Sequence, residues 1–290
     1  MRVLDNFYSG KEENLKCIKN FSKDQFELIR GDIRDQSACE MACRGIDFIL
    51  HQAALRSVPK SMQDPQSYND VNINGVLCVL QAAAKQKVKR LVFASSSSIY
   101  GDTNQFPERE DQYPLLVSPY ALSKLAGEYY CRIFAEHFNV ETVCLRYFNV
   151  FGPKQALDDE YAVVVPKFIY SIRRDESPPI FGTGQQSRDF TYIDNVISAN
   201  VLAATTPDIK HEVLNVASGQ DYTVLELVGM LNRIIGKDIQ PKFLPARAGD
   251  VFRTSADISR IKEKLNYHPL VNFEEGLRKT VSYALGVRMV

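Results

Sequence analysis

Short apolar runs alternate with longer amphipathic stretches in the first half of the chain, and this alternation constrains the fold most. The strand-like runs are FELI (26–29), DFIL (47–50), LVFA (91–94) and VCLRY (143–147). Between them lie stretches with helical spacing of apolar residues, at 36–44, 66–87 and 119–138. This β-α-β order predicts an α/β protein with a parallel sheet covered by helices, which binds ligands at the carboxyl ends of its strands.

After about residue 150 the pattern loosens, because prolines from Pro153 to Pro245 interrupt it. Helices are predicted near 164–174, 193–204, 223–235 and 273–286. We expect a first domain of residues 1–152 with returning elements at about 187–217, and a smaller second lobe of 153–186 and 218–290.

Composition excludes several classes of protein. The 290 residues are 45% hydrophobic and 24% charged, which is enough to bury a core. Lys plus Arg and Asp plus Glu are 35 each, so no net charge attracts nucleic acid or an anionic membrane. The six cysteines include no CxxC pair, so we expect no metal site and no disulfide framework, and a reducing cytoplasm fits best. No apolar run reaches the roughly 20 residues of a membrane span, and no signal peptide is recognised.

Small or polar residues follow the predicted strands. Val3 and Leu4 read as the end of a strand that delivers Asp5, as a ribose-binding acid is usually presented. Later strands run into Arg30-Gly31-Asp32, into Gln52-Ala53-Ala54, and into the serines 95–98. One such site alone is more often an ordinary turn, but several at equivalent positions predict a nucleotide site.

The segment SPYALSK (118–124) carries the predicted chemistry. Pro119 suits the first turn of a helix, so Tyr120 and Lys124 share one face. A free tyrosine has a pKa of about 10, and a neighbouring ammonium favours the phenolate and makes it a proton acceptor. A solvated helix face is the alternative for this spacing alone. Ser96, at a strand end 24 residues earlier, could share a substrate hydroxyl with the phenolate.

Nine segments together resemble the extended short-chain dehydrogenase/reductases, and within them the nucleotide-sugar 4-epimerases. They are DNFYSG (5–10), GDIRD (31–35), HQAALRSVP (51–59), NINGV (72–76), FASSSSIYGD (93–102), SPYALSK, LRYFNVFGP (145–153), SRDFTYIDNV (187–196) and RAGDVFRTSADISR (247–260). The resemblance implies a Rossmann-type parallel sheet with a smaller C-terminal substrate lobe. It also implies the catalytic residues Ser96, Tyr120 and Lys124.

NAD is the cofactor that the resemblance implies, bound by the first domain. Asp5 would hold the adenosine ribose and disfavour the extra phosphate of NADP. Lys124 would hold the nicotinamide ribose. The full implied set is Asp5, Asn6, Ser9, Gly10, Asp32, Ile33, Gln52, Ala53, Ala54, Arg56, Asn72, Tyr120, Lys124 and Phe148.

A UDP-sugar is the implied substrate, bound by the second lobe. Guanidinium groups such as those of Arg188 and Arg247 suit a diphosphate because they donate two parallel hydrogen bonds, although a solvated arginine is the alternative. The implied set is Ser96, Ser97, Asn149, Gln155, Val164, Ile180, Arg188, Arg247, Asp250 and Thr254.

The reaction is expected to be 4-epimerisation of the sugar. Related dehydratases carry an acidic pair where this chain has Ser97 and Ser98, and related decarboxylases keep a Glu at position 98. The tract 148–169 resembles enzymes acting on UDP-N-acetylglucosamine, often in polysaccharide pathways, and the small Thr254 leaves space for an N-acetyl group. Arg56 could occupy part of that space. The open alternatives are a UDP-glucose 4-epimerase, a UDP-glucuronate decarboxylase and a truncated, non-catalytic binding fragment.

Two further expectations come from the resemblance. The family begins with a strand and a glycine-rich phosphate loop, and this sequence starts about one β-α unit later, at roughly 30 residues. We therefore expect weak NAD binding and an exposed strand edge in the sheet. A homodimer through the helices at 66–87 and 119–138 is also expected, although Val76, Val79 and Leu80 could be ordinary core residues.

Overall fold

The computed structural model describes residues 1–18, 22, 25–155, 164–246 and 251–286. Its strands are β1 (Arg2–Asp5), β2 (Glu27–Arg30), β3 (Phe48–His51), β4 (Arg90–Ser96), β5 (Glu141–Tyr147), β6 (Val150–Phe151), β7 (Pro179–Phe181), β8 (Ser187–Asp189), β9 (Thr191–Tyr192), β10 (His211–Val216), β11 (Asp221–Thr223), β12 (Lys242–Leu244) and β13 (Arg253–Thr254). Its α-helices are α1 (Gln36–Cys43), α2 (Val58–Gln63), α3 (Pro65–Asn69), α4 (Gly75–Gln86), α5 (Pro119–His137), α6 (Val164–Arg173), α7 (Ile193–Thr205), α8 (Val224–Ile235), α9 (Ser259–Leu265) and α10 (Phe273–Leu285).

The chain forms two compact units, each assembled from separate stretches of sequence. The first comprises Met1–Ser95, Ser118–Leu145 and Ala203–Val213. The second comprises Ser96–Val117, Arg146–Leu202 and Leu214–Val290.

The first unit is built on parallel strands packed with helices. This confirms the predicted α/β class. Its larger sheet has the order β10-β5-β4-β3, and β3 pairs in parallel with β4 so that Leu50 lies opposite Val92. β1 pairs in parallel with β2 in a separate sheet. Among the described residues β3 is an edge strand, and Phe48 and Leu50 on it are 40% and 48% exposed. The prediction that both faces of the sheet are covered therefore holds for β4 and not for β3.

β4 is the central strand of the first unit's core. Its sequence RLVFASS is apolar at successive positions, and every residue from Arg90 to Ser95 is buried. Helix α5 packs closely against it because Gly127 faces Phe93: a Cβ at position 127 would lie 2.4 Å from Cζ of that ring. This close approach brings the polar side chains of α5 to the backbone of β4.

The predicted helix 66–87 is broken in the structure. α3 ends at Asn69, a π-helical turn covers Asp70–Asn74, and α4 begins at Gly75. Its apolar residues Val76, Val79 and Leu80 are buried in the core with α1 and α5. The core interpretation of these three residues is therefore correct.

The second unit has its own core, formed by α6, α8 and α10 around an aromatic cluster. Phe190 and Phe273 stack with ring centres 4.8 Å apart, and Phe151 meets both edge-on. Helix α8 starts at a capping box formed by Thr223 and Glu226. A small sheet of order β11-β8-β13 lies in the same unit.

Among the described residues, none of the helices combines the length and the apolar character that a membrane span requires.

Candidate active site

Asp5 lies at the end of β1, as its position in the sequence predicted. Its Oδ1 accepts a 2.7 Å hydrogen bond from the amide of Phe7, which has a positive φ of 55° and turns the chain. Ser9 and Gly10 follow in this exposed turn. A Cβ at position 10 would lie 3.1 Å from Asp5 Oδ2, so glycine leaves the carboxylate open on that side.

The Asp32 carboxylate lies beside the same turn. Asn6 donates to its Oδ2 at 2.9 Å, and Arg34 forms an ion pair with it at 2.8 Å. The hydrogen bond from Arg34 holds the pKa of Asp32 well below its usual range, so this carboxyl is ionised. The neighbouring Ile33 is buried, and its side chain would lie 2.6 Å from a Cβ at position 75. A ligand contact at Ile33 would therefore come through the main chain.

The segment after β3 is held in place by Asn72, which lies in the π-helical turn. Asn72 exchanges two 2.8 Å hydrogen bonds with the main chain of Leu55 and donates to Ser123 Oγ at 3.0 Å. The preceding Gln52 and Ala53 are exposed, as is Arg56, whereas Ala54 is half-buried.

His51, the last residue of β3, is buried and stacks on Phe93. Its Nε2 has no hydrogen-bond partner among the described residues. Burial, with a smaller effect of Lys124, lowers the pKa of His51 to about 3, so the ring is neutral.

Helix α5 brings Tyr120 and Lys124 together. The helix begins after Ser118, whose Oγ accepts from the amide of Ala121 at 3.1 Å. The ammonium of Lys124 is 5.9 Å from the centre of the Tyr120 ring, and it donates to the carbonyl oxygen of Ala94 at 2.8 Å. Lys124 is only 4% exposed, and burial lowers its pKa to about 8. The two residues thus lie close together on one helix, as their spacing in the sequence predicted.

Ser96 begins a short 3-10 turn in the second unit. Its Oγ accepts from the amide of Ser98 at 3.2 Å and from the hydroxyl of Ser98 at 2.9 Å. Ser97 lies within this turn. Phe148, in the same unit, has no accessible surface and packs against Tyr100. In this conformation Phe148 presents no surface to a ligand.

The small sheet of the second unit brings three of the predicted substrate residues together. Arg188 on β8 and Thr254 on β13 are directly opposed in register. Asn149 donates from Nδ2 to Thr254 Oγ1 at 2.9 Å and to the carbonyl oxygen of Asp189 at 3.1 Å. The guanidinium of Arg188 donates to the carbonyl oxygens of Ser187 and Phe252. This arrangement presents an amide, a guanidinium and a hydroxyl at one place.

The remaining predicted substrate residues lie elsewhere in the second unit. Gln155 donates to the carbonyl oxygen of Val150 at 2.9 Å. Val164 starts α6 and is half-buried against the core, and Ile180 is fully buried within it. Arg247, Asp250 and the part of the 148–169 tract at 156–163 lie outside the described residues.

Two buried acidic residues, Glu108 and Asp189, contact the segments around these residues of the second unit and were not predicted from the sequence. Asp189 accepts hydrogen bonds from the amide and hydroxyl of Ser218, and burial raises its pKa to about 6. Glu108 accepts from the amide of Ser255 at 2.9 Å, and burial raises its pKa to about 8. Asp189 directly follows Arg188 in the SRDF motif, which is the one sequence signal that pointed to it.

In the first unit, the missed residue is Glu128. Its Oε1 accepts a 2.5 Å hydrogen bond from the hydroxyl of Ser95, and both residues are buried. Its position four residues after Lys124, on the same helix face, was the available signal.

Known proteins share this architecture over almost its whole length. A solved UDP-N-acetylglucosamine 4-epimerase from Methanobrevibacter ruminantium M1, in complex with UDP-N-acetylmuramic acid, is 38% identical, with a TM-score of 0.92 over 98% of this chain and 90% of that one. A Bacillus cereus UDP-glucuronic acid 4-epimerase in complex with UDP-glucuronic acid and NAD is 32% identical, with a TM-score of 0.90 over 98% and 90% of the chains. The UDP-glucose 4-epimerase of Mycolicibacterium smegmatis is 33% identical over 97% of this chain and 89% of the relative.

Residues 3–217 match the model of the NAD dependent epimerase/dehydratase family. These residues include the β1 turn with Asp5 and the α5 pair of Tyr120 and Lys124. The chain therefore belongs to the NAD dependent epimerase/dehydratase family, and it is an enzyme that uses NAD.

Proposed function

We propose that this chain is a UDP-sugar 4-epimerase that converts UDP-N-acetylglucosamine to UDP-N-acetylgalactosamine. The observation that carries the proposal is the buried ammonium of Lys124 beside the phenol of Tyr120, 5.9 Å from the ring centre. This pair is a tuned proton acceptor, and family relatives that act on UDP-sugars share the fold around it.

The residues of the first unit fit the cofactor. Asp5 has room beside its carboxylate because residue 10 is glycine, and an acid there suits a ribose with two free hydroxyls. The described contacts of Lys124 use one of its three N–H groups, on Ala94, so others can reach a nicotinamide ribose. We assign Asn6, Ser9, Asp32, Ile33, Gln52, Ala53, Ala54, Arg56 and Asn72 to the same cofactor site.

The chain's own residues move the proton of the sugar hydroxyl. Tyr120, as phenolate, takes the proton of the C4 hydroxyl, and it returns this proton after the sugar has turned over in the site. Lys124 stabilises the phenolate by its charge. The hydroxyl of Ser96 hydrogen-bonds to the same C4 oxygen and polarises the carbonyl that forms. When bound, NAD would supply the acceptor and the donor of the C4 hydride.

The second unit supplies the UDP-sugar contacts in this proposal. Asn149, Arg188 and Thr254 are adjacent around β8 and β13, which supports a shared role in holding the substrate. Arg188 would bind the diphosphate, since a guanidinium pairs well with phosphate oxygens. Ser97, Gln155, Val164, Arg247 and Asp250 complete the proposed substrate set.

The proposal is tested by replacing the proton acceptor. Tyr120→Phe removes the phenol and keeps the ring, so epimerisation of UDP-N-acetylglucosamine should fall by a factor of about 1,000 or more, while UDP binding measured by calorimetry persists. Tyr129→Phe is the matched control, because Tyr129 is on the same helix and 58% exposed. Unchanged turnover in Tyr120→Phe would overturn the assignment.

The substrate is tested by comparing UDP-N-acetylglucosamine, UDP-glucose and UDP-glucuronate. We expect the highest kcat/KM with the acetylated sugar. Thr254→Tyr should lower that value about tenfold more for the acetylated sugar than for UDP-glucose, because a larger side chain fills the space for the N-acetyl group. A preference of the wild type for UDP-glucose, or carbon dioxide release from UDP-glucuronate, would contradict the proposed substrate.

Cofactor binding is tested by titrating the chain with NAD in a calorimeter. Binding in the micromolar range supports an active epimerase. No detectable heat from a folded sample would instead favour a non-catalytic nucleotide-sugar-binding protein.

We also propose a homodimer formed through α5. Leu122, Tyr129 and Ile133 follow one another at helical spacing, and they are 53%, 58% and 43% exposed. A second copy of the same face would cover them. Light scattering should give a mass of two chains for the wild type and one for Tyr129→Lys, and a monomeric wild type would contradict the proposal.

A cytoplasmic location is the last part of the proposal, since the cysteine pattern suits a reducing compartment. Cell fractionation with an antibody against the chain tests it, and recovery outside the cytoplasm would contradict it.

A further inference from the structure

Glu128 is a buried acid one helical turn after Lys124. Both residues are 4% exposed, and their spacing of four puts them on the same face of α5. Burying a carboxylate is costly unless hydrogen bonds or an opposite charge compensate for it. The buried carboxyl of Glu128, on the same helix face as a buried ammonium, therefore needs compensating contacts.

Two neighbouring residues of β4 form hydrogen bonds with the side chains of Lys124 and Glu128. Lys124 donates from Nζ to the carbonyl oxygen of Ala94 at 2.8 Å, and the hydroxyl of Ser95 donates to Glu128 Oε1 at 2.5 Å. The ring of Phe93 packs against Gly127 between them. The strand therefore holds the ammonium and the carboxylate in fixed positions.

The surroundings of Lys124 shift its pKa in opposite directions. Burial lowers the pKa of Lys124, whereas Cys131 and Glu128 on the same helix raise it. From β3, His51 faces the ammonium with a ring that burial keeps neutral. From α5 itself, Tyr120 presents its phenol. Cys131 has the larger of the two raising effects. Glu128 is nevertheless the group that can compensate the ammonium at neutral pH, because a carboxyl group has an ordinary pKa of about 4.3 and a thiol one of about 8.5.

We propose that Glu128 is a positioning residue for catalysis: its buried carboxylate, fixed by Ser95, keeps Lys124 charged and its ammonium beside the phenol of Tyr120. This inference rests on the proposed function of the Tyr120–Lys124 pair. Without Glu128, Lys124 would lose its proton at a lower pH. The resulting neutral amine would no longer stabilise the phenolate of Tyr120, so the proton acceptor would be lost at that lower pH.

The test measures the titration of Lys124 directly, without sugar or cofactor. Protein labelled with ¹³C at the lysine Cε is titrated by NMR, and Lys124→Arg identifies the resonance by its loss. Glu128→Gln keeps an acceptor for Ser95 and removes the charge, so the pKa of Lys124 should fall by about one unit, a tenfold change in its protonation equilibrium. Ser95→Ala, which keeps the charge, should lower it less.

The catalytic readout is the pH profile of kcat. Its alkaline limb should move to lower pH in Glu128→Gln by the same amount as the NMR titration, and stay near the wild-type position in Ser95→Ala. A Lys124 titration that is the same in Glu128→Gln and the wild type would overturn the proposal. If Glu128→Gln does not fold, Glu128→Asp serves instead, because it keeps the charge and moves it, and an unchanged titration there overturns the proposal equally.

The two proposals fail separately. If Glu128→Gln shifts the titration of Lys124 but the wild type epimerises no UDP-sugar, the effect of Glu128 on Lys124 stands and the proposed function is refuted. Epimerisation with an unshifted titration would retain the function and refute the role of Glu128.

Discussion

Asn149 donates a 2.9 Å hydrogen bond from Nδ2 to Oγ1 of Thr254 while its own main chain has a positive φ of 28°. A non-glycine residue with positive φ is uncommon, and neighbouring contacts must hold it there. The threonine at this position therefore does more than leave space, because its hydroxyl orients the amide of a proposed substrate residue.

Thr254→Val removes this acceptor and keeps the shape of the side chain. Losing one such hydrogen bond costs about 1 kcal/mol, so KM for the UDP-sugar should rise about fivefold with little change in kcat. Thr254→Ser keeps the hydroxyl and should stay close to the wild type. Steady-state kinetics check both variants, and equal KM values for the two would disprove the orienting role.

Gly127→Ala should destabilise the protein by about 1–3 kcal/mol, because it overpacks the contact between α5 and β4. The added Cβ would lie 2.4 Å from Cζ of Phe93, and the ring is held in the core. Gly229→Ala on α8 is the control, since the nearest atom to its added Cβ is 4.0 Å away, at the end of Arg233. Urea unfolding should show a gain of about 0.5–1 kcal/mol for the control. Equal effects of the two substitutions would contradict the close approach.

Arg90→Met should cost about 3–5 kcal/mol, because it leaves buried partners of a fully buried guanidinium unpaired. Arg90 pairs with Glu141 at 2.7 Å and donates to the carbonyl oxygens of Ala203 and Thr206 at 2.9 and 2.6 Å. Glu141→Gln removes one partner, and the side chain of Glu141 is 33% exposed, so it should cost less. Thermal and urea unfolding measure both costs, and a smaller loss for Arg90→Met than for Glu141→Gln would refute this account.

Stability should fall as the pH rises from about 6.5 to 8, because of Glu108. Burial raises the pKa of Glu108 to about 8, so the fold favours the protonated carboxyl. The stabilisation is complete below the unfolded pKa of about 4.3 and is lost as the pH rises through the folded value. Asp189, raised to about 6, titrates mainly below this window. Glu108→Gln should flatten the dependence measured by urea unfolding at each pH. The same slope in both proteins would show that another group is responsible.

The apolar pattern of the sequence predicted the main elements well. α5 was expected at 119–138 and is Pro119–His137, and the strand before Asp5 is present as β1. The π-helical turn at Asp70–Asn74 was missed because one widened turn barely changes the spacing of apolar residues. The short helices α2 and α9 were missed because six or seven residues carry too little periodicity.

In the candidate site, too, contacts between residues close in sequence could be predicted, and contacts between distant residues could not. Tyr120 and Lys124 are one turn apart on one helix, so their proximity could be predicted from their spacing. The opposition of Arg188 and Thr254 joins strands 66 residues apart, and only the folded sheet defines that register. Charged residues are usually exposed, so the burial of Glu108 and Glu128 depends on partners such as Ser95 that the local sequence does not reveal.

The discontinuity of the first unit has a consequence for its synthesis on the ribosome. Its segments 1–95 and 118–145 emerge long before Ala203–Val213, and Arg90 finds its acceptors 113 and 116 residues further along the chain. Until those carbonyl groups emerge, the guanidinium stays hydrated, and the core around the Arg90 end of β4 cannot form. The first unit therefore completes folding only after Ala203–Val213 has been translated, although its other segments lie far earlier in the chain.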